Sequence, residues 1–183
     1  MLTDTHAHLF WDSFKEDFDV MIQRALDAGI TTIINVGVDV EKSKEALRQA
    51  QGKLAKIPNL LVYTSIGIHP EEAGKYFSDP NVSIQRDTEE LEKLYQTDTT
   101  KIVAVGECGL DFLFANNPWS SPPTLNQIQD LHRQLFQAQI DLAKKLNLPL
   151  LVHCRDDRSQ NLTNSEAWDE VIEMTKDHFG IYH

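Results

Sequence analysis

Apolar runs of strand length recur along the chain and alternate with longer segments of helical periodicity. Five such runs and the beginning of a sixth occupy residues 2–5, 32–36, 60–68, 102–105, 149–152 and 181–183. Most of the runs are almost continuously hydrophobic, which is typical of strands in a parallel sheet that helices cover. The alternation of such strands with helices predicts an α/β fold.

The segments between the runs carry apolar residues three or four positions apart, as on one face of a helix. These faces are formed by Phe14, Phe18, Met21, Ala25 and Ala28, by Leu47 and Ala50, by Ile128, Leu131, Leu135, Leu142 and Leu146, and by Trp168, Val171, Thr175 and Phe179. The polar Gln139 interrupts the longest face, and we expect Gly180 to end the last helix.

Three pairs of residues have the spacing of a capping box, in which a side-chain oxygen opens a helix and Glu or Gln follows three residues later. The pairs are Asp87 with Glu90, Thr124 with Gln127, and Thr163 with Glu166. We therefore expect a helix to begin at each of the three positions.

Residues that bind metals follow several of the predicted strands. On an extended strand His6 and His8 point to the same side, so two imidazoles could hold one divalent cation. In a barrel of parallel strands, the residues that end the strands meet at one rim. Taken alone, each of these residues could be a solvated rim residue or a hydrogen-bonded structural histidine. Together they predict a metal site formed by His6, His8, Glu107, His153 and His183.

The composition is that of an ordinary globular protein and excludes some classes. Hydrophobic residues make up 41% of the 183 residues, charged residues make up 25%, and the formal net charge is -11. Such an acidic chain argues against a protein that coats nucleic acid nonspecifically, because phosphate attraction needs clustered Lys and Arg. No run approaches the length of a membrane span, and the N-terminus lacks the pattern of a secretion signal.

The two cysteines, Cys108 and Cys154, are too few for a secreted disulfide framework, so we expect a cytoplasmic protein. Each follows a predicted metal ligand by one residue, and strand alternation turns it toward the helices. Thiolates bind zinc well, but buried apolar side chains are the favoured interpretation of both.

Four motifs in order, "DTHAHL", "GIHP", "VGECGLDF" and "LPLLVHCRD", resemble the TatD family of metal-dependent deoxyribonucleases, which belongs to the amidohydrolase superfamily of TIM barrels. The resemblance runs from Asp4 to the last residue. It implies that His6 and His8 bind one divalent metal ion, that Glu107 bridges two, and that His153 and His183 hold the second. It also implies substrate-binding roles for His69, Asp111 and Arg155.

The other interpretations of the three substrate-binding candidates stay open. His69 could donate to a phosphate or bond a loop carbonyl, and Asp111 could orient another group or cap a turn. Arg155 could clamp a phosphate or form an ion pair with Asp156 or Asp157.

A (β/α)₈ barrel typically needs about 250 residues, whereas the pattern here predicts five βα units and the start of a sixth strand. We therefore expect one incomplete TIM-barrel domain over residues 1–183, with the C-terminal part of the barrel missing. The metal-binding Asp that the family is expected to use in catalysis would lie beyond the chain end, so no catalytic residue is assigned. Two open sheet edges lead us to expect that the isolated chain aggregates and is inactive.

The resemblance implies a deoxyribonuclease, and two metals held by the implied ligands would suit cleavage of DNA phosphodiester bonds by an activated water. Single strands or strand ends are the expected substrate, because bases could stack on aromatic residues after the first and fourth strands. Those residues are Phe10, Trp11, Phe112, Phe114 and Trp119, although aromatic residues in loops also pack the loop itself.

Two alternatives differ in class from a nuclease. One is a bimetallic hydrolase of the same superfamily that acts on an ester or amide, such as an aminoacyl ester, and the other is an inactive fragment that binds metal or a partner. The metal also stays open, since a nitrogen-rich ligand set suits Zn while nucleases often use Mg or Mn. The sequence does not define the physiological substrate or the oligomeric state.

Overall fold

The strands pair in chain order to form one parallel sheet in the computed structural model of the chain, which describes residues 1–113, 124–157, 163, 165–178 and 181–182. The strands are β1 (Leu2–Ala7), β2 (Ile30–Val36), β3 (Leu61–Ile66), β4 (Ile102–Asp111), β5 (Leu150–Arg155) and β6 (Ile181–Tyr182). Every neighbouring pair is parallel. A barrel adds strands in one direction, whereas a doubly wound sheet reverses its order. The prediction of five βα units and the start of a sixth strand is confirmed.

Helices connect the strands, and the main ones pack against the sheet. They are α1 (Phe18–Asp27), α2 (Val40–Gln51), α3 (Lys75–Ser78), α4 (Ile84–Thr97), α5 (Leu125–Leu146) and α6 (Glu166–Thr175). Short 3₁₀ turns span Asp12–Phe14, Leu54–Lys56 and Pro70–Gly74. Within the described ranges, no helix is both long enough and apolar enough to cross a membrane.

The largest hydrophobic cluster lies between the sheet and α5, where Val105 and Leu110 of β4 belong to the same cluster as Phe136. Cys108 is fully buried in this cluster, which confirms the expectation that it packs toward the helices. Ala104 belongs to a separate small cluster. Because successive side chains of a strand point to opposite faces, this small cluster lies on the other face of the sheet.

Gln139, the polar residue in the apolar face of α5, is fully buried. Its Oε1 atom accepts a hydrogen bond from the backbone N–H of Ile68 (2.7 Å), and its Nε2 atom donates to the Ile68 carbonyl (2.9 Å). The side chain therefore satisfies both polar groups of a backbone unit that lies beyond the end of β3. This contact fixes the chain immediately before His69 to α5.

Strand β4 continues past the apolar run at residues 102–105 and ends at Asp111. Gly106 and Gly109 have φ angles of 146° and 143°, which side-chain-bearing residues rarely adopt. A Cβ atom at Gly109 would also collide with the carbonyl oxygen of His153 on β5. The glycines therefore let β4 and β5 approach closely, and the residues between them stay in the sheet.

Helix α4 begins at Ile84, so the predicted start at Asp87 was wrong. The side chain of Ser83 caps the helix instead. Asp87 lies inside the helix, where its buried carboxylate accepts a hydrogen bond from the hydroxyl of Tyr76 (2.9 Å). Asp87 therefore connects α4 to α3 through Tyr76 and does not cap the helix.

The other two capping boxes had different outcomes. The pair of Thr124 and Gln127 forms a capping box at the start of α5, as predicted. The predicted start at Thr163 was wrong, because Ser165 is the residue before α6.

The first and last helices are shorter than their apolar faces suggested: α1 begins at Phe18 rather than near Phe14, and α6 ends at Thr175. The predicted helix end at Phe179 and Gly180 lies outside the described residues.

Replacing Gln139 with Ala should lower the free energy of unfolding by about 3 kcal/mol, because the N–H and C=O of Ile68 would be left buried without partners. Gln137→Ala is the matched control, since Gln137 is exposed on the same helix and should change the value by less than about 0.5 kcal/mol. Urea denaturation measures both values. Equal effects of the two substitutions would contradict the structural role of Gln139.

Candidate metal centre

The carboxylate of Glu107 lies among four imidazoles at the C-terminal ends of the strands. Its Oε2 atom is 3.1 Å from Nε2 of His6 and 3.8 Å from Nε2 of His8. Its Oε1 atom is 3.3 Å from Nδ1 of His153 and 3.8 Å from Nε2 of His69. Two groups of donor atoms thus share one carboxylate, and the atoms of each group lie within 4.8 Å of one another.

His8 presents a lone pair to this cluster. Its Nδ1 atom lies 2.9 Å from the carbonyl oxygen of Val36, at the end of β2. Because a carbonyl can only accept, Nδ1 carries the proton and Nε2 faces His6 and Glu107 without one. Burial lowers the pKa of His8, which favours this neutral form. Metal-binding histidines commonly have this backbone contact on their second nitrogen.

His6 is more exposed than its neighbour and carries a proton more readily. A hydrogen bond to Glu107 raises the pKa of His6. The Nε2 atoms of His6 and His8 are only 3.2 Å apart. The Nε2 atoms of both imidazoles and the Oε2 atom of Glu107 therefore converge on one point.

Glu107 itself is buried but ionised. Burial alone would raise the pKa of its carboxyl group, but hydrogen bonds with His153 and His6 outweigh that effect and hold the pKa well below its ordinary value. A carboxylate with an oxygen on each side and a full negative charge is suited to bridge two cations.

His153 lies between two carboxylates. Its Nε2 atom is 3.1 Å from Oδ2 of Asp111, while Nδ1 faces Glu107. Burial acts to lower the pKa of His153, but the hydrogen bonds to Asp111 and Glu107 outweigh it and raise the pKa to about 9. Burial likewise acts to raise the pKa of Asp111, and hydrogen bonds with His153 and Arg155 overcome this and lower it to about 2.

Arg155 grips the carboxylate behind His153. Its Nε atom donates to Oδ1 of Asp111 (2.9 Å), and Nη2 lies 2.6 Å from Oδ2, so the pair is bidentate. Nη2 also donates to Glu71 (3.1 Å). The sequence had left Asp156 and Asp157 as alternative partners of Arg155, and the ion pairs found run to Asp111 and Glu71 instead.

His69 has the opposite proton arrangement to His8. Its Nδ1 atom accepts a hydrogen bond from the backbone N–H of Glu71 (3.1 Å), so the neutral ring carries its proton on Nε2. Burial, followed by the charge of the nearby His153, lowers the pKa of His69 to about 4. His69 therefore directs a neutral N–H donor toward the cluster. The sequence had left open a hydrogen bond from this ring to a loop carbonyl. In the structure, the Nδ1 atom instead accepts a hydrogen bond from a backbone N–H.

The cluster holds four of the five ligands predicted from the sequence. The structure brings together His6, His8, Glu107 and His153, and His183 lies outside the described residues. Imidazole nitrogens with a carboxylate oxygen are the donor set that Zn and related divalent cations prefer. The residues present therefore fit a divalent metal ion.

The aromatic residues near the strand ends differ from the expectation. Phe10 and Phe112 are each only 2% exposed, so the packing interpretation applies to them and base stacking does not. Trp11 is 44% exposed, and the centre of its ring system is 5.8 Å from that of the His8 ring. Two further aromatic candidates lie outside the described residues: Phe114 and Trp119.

Three residues that support the cluster escaped the sequence analysis. The buried His132 of α5 accepts a hydrogen bond from the backbone N–H of Asp111 (3.4 Å). The buried Asn35 accepts from the N–H of Leu9, directly after the histidine pair (2.9 Å). Glu71 anchors the guanidinium behind the cluster. The position of a histidine within the apolar face of a helix was the available signal for His132.

Comparisons with known proteins agree with the geometry. The model of the family described as "TatD related DNase" matches residues 3–183. A protein of Musicola paradisiaca (strain Ech703), named "3'-5' ssDNA/RNA exonuclease TatD", is 30% identical over 169 residues, which are 92% of this chain and 55% of that protein. The "Uncharacterized metal-dependent hydrolase YabD" of Bacillus subtilis (strain 168) is 31% identical over 157 residues, or 85% of this chain and 51% of that protein.

Solved structures show the same architecture. The TatD homologue YJJV of Escherichia coli K12 superposes with a TM-score of 0.71 at 26% identity, covering 97% of this chain and 56% of that one. An amidohydrolase structure from Saccharomyces cerevisiae has a TM-score of 0.72 at 18% identity, covering 95% and 51%, and supports the fold alone. The chain spans about half the length of the relatives that it matches.

Zinc binding to the metal-free protein should release protons and strengthen as the pH rises. His153 holds a proton below a pKa of about 9, and a ligand nitrogen must lose its proton to bind metal. Each proton displaced makes the apparent affinity rise about tenfold per pH unit between pH 6 and 8. Isothermal titration calorimetry in two buffers of different ionisation enthalpy counts these protons.

His153→Gln should release fewer protons in the same titration. An affinity for Zn²⁺ that is independent of pH, with no proton release from the unaltered protein, would contradict the assignment of His153 as a ligand.

Proposed function

The chain belongs to the TatD-related DNase family, and on this basis we propose that the protein, when its barrel is complete, hydrolyses phosphodiester bonds of DNA at the Glu107 cluster. The observation that carries the proposal is the position of the Glu107 carboxylate between two groups of imidazoles. One oxygen faces His6 and His8, and the other faces His153 and His69. In hydrolases that use two metals to cleave phosphodiesters, the cations lie about 3.5–4 Å apart, and one carboxylate can bridge them.

In this proposal His6, His8 and Glu107 hold one divalent cation, and Glu107 and His153 hold a second with His183. Zn, Mn and Mg are the candidate metals, and the nitrogen-rich ligand set favours Zn. Bound there, the cations supply Lewis-acid polarisation of a phosphoryl oxygen and activation of the attacking water.

The residues around the ligands keep them in position. The Val36 carbonyl holds the His8 ring so that its Nε2 lone pair faces the cluster. Asp111 does the same for His153, because it receives one ring N–H and leaves the other nitrogen for the metal. Arg155 in turn holds Asp111. Its half-exposed guanidinium has five N–H donors, more than its two carboxylate partners require, and we propose that it also contacts a substrate phosphate.

We propose that His69 binds substrate rather than metal. Its Nε2 atom carries the proton, because Nδ1 accepts the Glu71 N–H, and a protonated nitrogen cannot ligate a cation. The low pKa of the ring keeps it neutral near pH 7. His69 can therefore donate a hydrogen bond to a phosphate oxygen or to the leaving group in the transition state.

Single-stranded DNA or strand ends are the proposed substrate. The Musicola relative carries the name of an exonuclease for single-stranded DNA and RNA. The net charge of -11 leaves this chain with little general attraction for a long duplex, because such attraction needs many basic contacts. We also propose a cytoplasmic location, since Cys108 and Cys154 are both unpaired.

Glu107→Gln should reduce cleavage of a single-stranded DNA oligonucleotide by more than about 100-fold and lower the bound metal measured by mass spectrometry. The amide keeps the shape of the side chain but cannot bridge two cations. A chelator should abolish the activity of the unaltered protein, and added Mn²⁺ or Zn²⁺ should restore it.

Glu90→Gln, at a partly exposed glutamate on α4, is the control for Glu107→Gln and should leave activity unchanged. Retention of full activity in repurified Glu107→Gln would refute the proposal. A panel that also contains ester and amide substrates decides between the nuclease and the other hydrolases of the superfamily.

His69→Ala should lower kcat for the oligonucleotide by about 100-fold without changing the amount of bound metal. His69→Gln should recover part of the loss, because its amide N–H can replace the ring donor. Loss of metal from both variants would show instead that His69 is a ligand.

A further inference from the structure

A cleft of about 490 Å³ adjoins the candidate metal centre on the side of β1. One wall comes from the segment after β1 and the other from the C-terminal half of α2. Trp11 connects the cleft to the centre, because it lines the cleft and its ring lies 5.8 Å from the ring of His8. The volume is within the range of small-molecule sites, about 300–1,000 Å³.

The floor of the cleft is apolar and well packed. Leu9 and Leu54 are almost fully buried beneath it, and Phe10 packs against Trp11 with ring centres 5.3 Å apart. Trp11 and the half-buried Phe18 present apolar surface to solvent. An exposed indole that is supported from behind offers a flat face on which a base can stack, at a modest cost in side-chain entropy.

The rim of the cleft is basic although the protein is strongly acidic. Lys15, Arg48 and Lys53 line it together with one acid, Glu45. Glu45 forms an ion pair with Lys42 (2.9 Å), which offsets its charge.

The rim cations differ in how firmly they are held. Lys15 pairs with Asp12 and Lys53 with Asp19, but these are exposed pairs of the kind that contribute little to stability. Among the residues that the structure describes, Arg48 has no ion-pair partner. An exposed guanidinium without a carboxylate partner is available for a phosphate, which it can bind through two parallel hydrogen bonds.

We propose that this cleft binds the nucleotide next to the scissile phosphate of a single-stranded nucleic acid, with its base on Trp11 and its phosphate at Arg48. The inference rests on the proposed function, since it takes the Glu107 cluster as the place of cleavage. A duplex would not fit this arrangement, because its bases are stacked on each other and unavailable to Trp11. The cleft therefore selects single strands, whereas the metal centre alone would accept any exposed phosphodiester.

Two pairs of variants test the cleft. Trp11→Ala should weaken binding of a fluorescent oligothymidylate of about six nucleotides by about tenfold, measured by anisotropy with EDTA present so that no strand is cleaved. Trp168→Ala removes an exposed tryptophan on α6, which packs on β4 and β5 rather than near β1, and should leave binding unchanged. Arg48→Gln should reduce the slope of log K against log salt by about 0.7, as expected for one lost phosphate contact. Arg86→Gln, an exposed arginine on α4, is the matched control.

Cleavage of bis(p-nitrophenyl) phosphate separates the cleft from the metal centre, because this small diester needs no neighbouring nucleotide. Arg48→Gln should keep its rate of hydrolysis while KM for the oligonucleotide rises about tenfold. Equal binding by Trp11→Ala and Trp168→Ala, or equal salt slopes for the two arginine variants, would overturn the inference. If the unaltered protein cleaved neither substrate, the proposed function would fail, and the binding comparison would still decide whether the cleft holds a nucleotide.

Discussion

A buried, ionised carboxylate is costly unless charged or hydrogen-bonding groups surround it, and the strand ends of this protein are arranged to meet that requirement at Glu107. Imidazoles from the ends of β1, β3 and β5 converge on its two oxygens. A second buried carboxylate, that of Asp111, is surrounded in the same way by His153 and Arg155. Negative and positive groups therefore alternate outward from the cluster as far as Glu71. Each charge holds the next in place, so the donor atoms converge through the protein's own electrostatics.

Helix α5 contains none of the predicted metal ligands, yet it fixes two segments that reach the cluster. Gln139 binds both backbone groups of Ile68, directly before the GIHP histidine. His132 accepts the backbone N–H of Asp111 at the end of β4. Both residues interrupt the apolar face of the helix, and the burial of each is tolerated because backbone groups satisfy its polar atoms. These two polar residues on the buried face of α5 therefore fix backbone segments of the site relative to the helix.

The sequence predicted the fold class and the residues of the cluster because both depend on local patterns. Apolar runs define strands, and in a parallel barrel a polar residue just after such a run lies at the common rim. The extension of β4 depended on a neighbour, since Gly106 and Gly109 matter only when β5 lies against them. Likewise the sequence could not show that Asp87 meets Tyr76, a contact that exists only after α4 has packed. Features that one segment determines were predictable, and features that two segments determine together were not.

The distance along the chain between His6 and Glu107, 101 residues, has a consequence for folding. A cation shared by these side chains would close a loop that runs from the end of β1 through β2 and β3 into β4, much as a cross-link does. Closing so long a loop removes conformational freedom from the unfolded chain, and the stabilisation grows only slowly with its length. Strand β1 pairs with β2 alone among the described strands, so it would depend most on this closure. Loss of the metal would then loosen the N-terminal strand first, and protease sensitivity near the start of the chain would report whether the metal is bound.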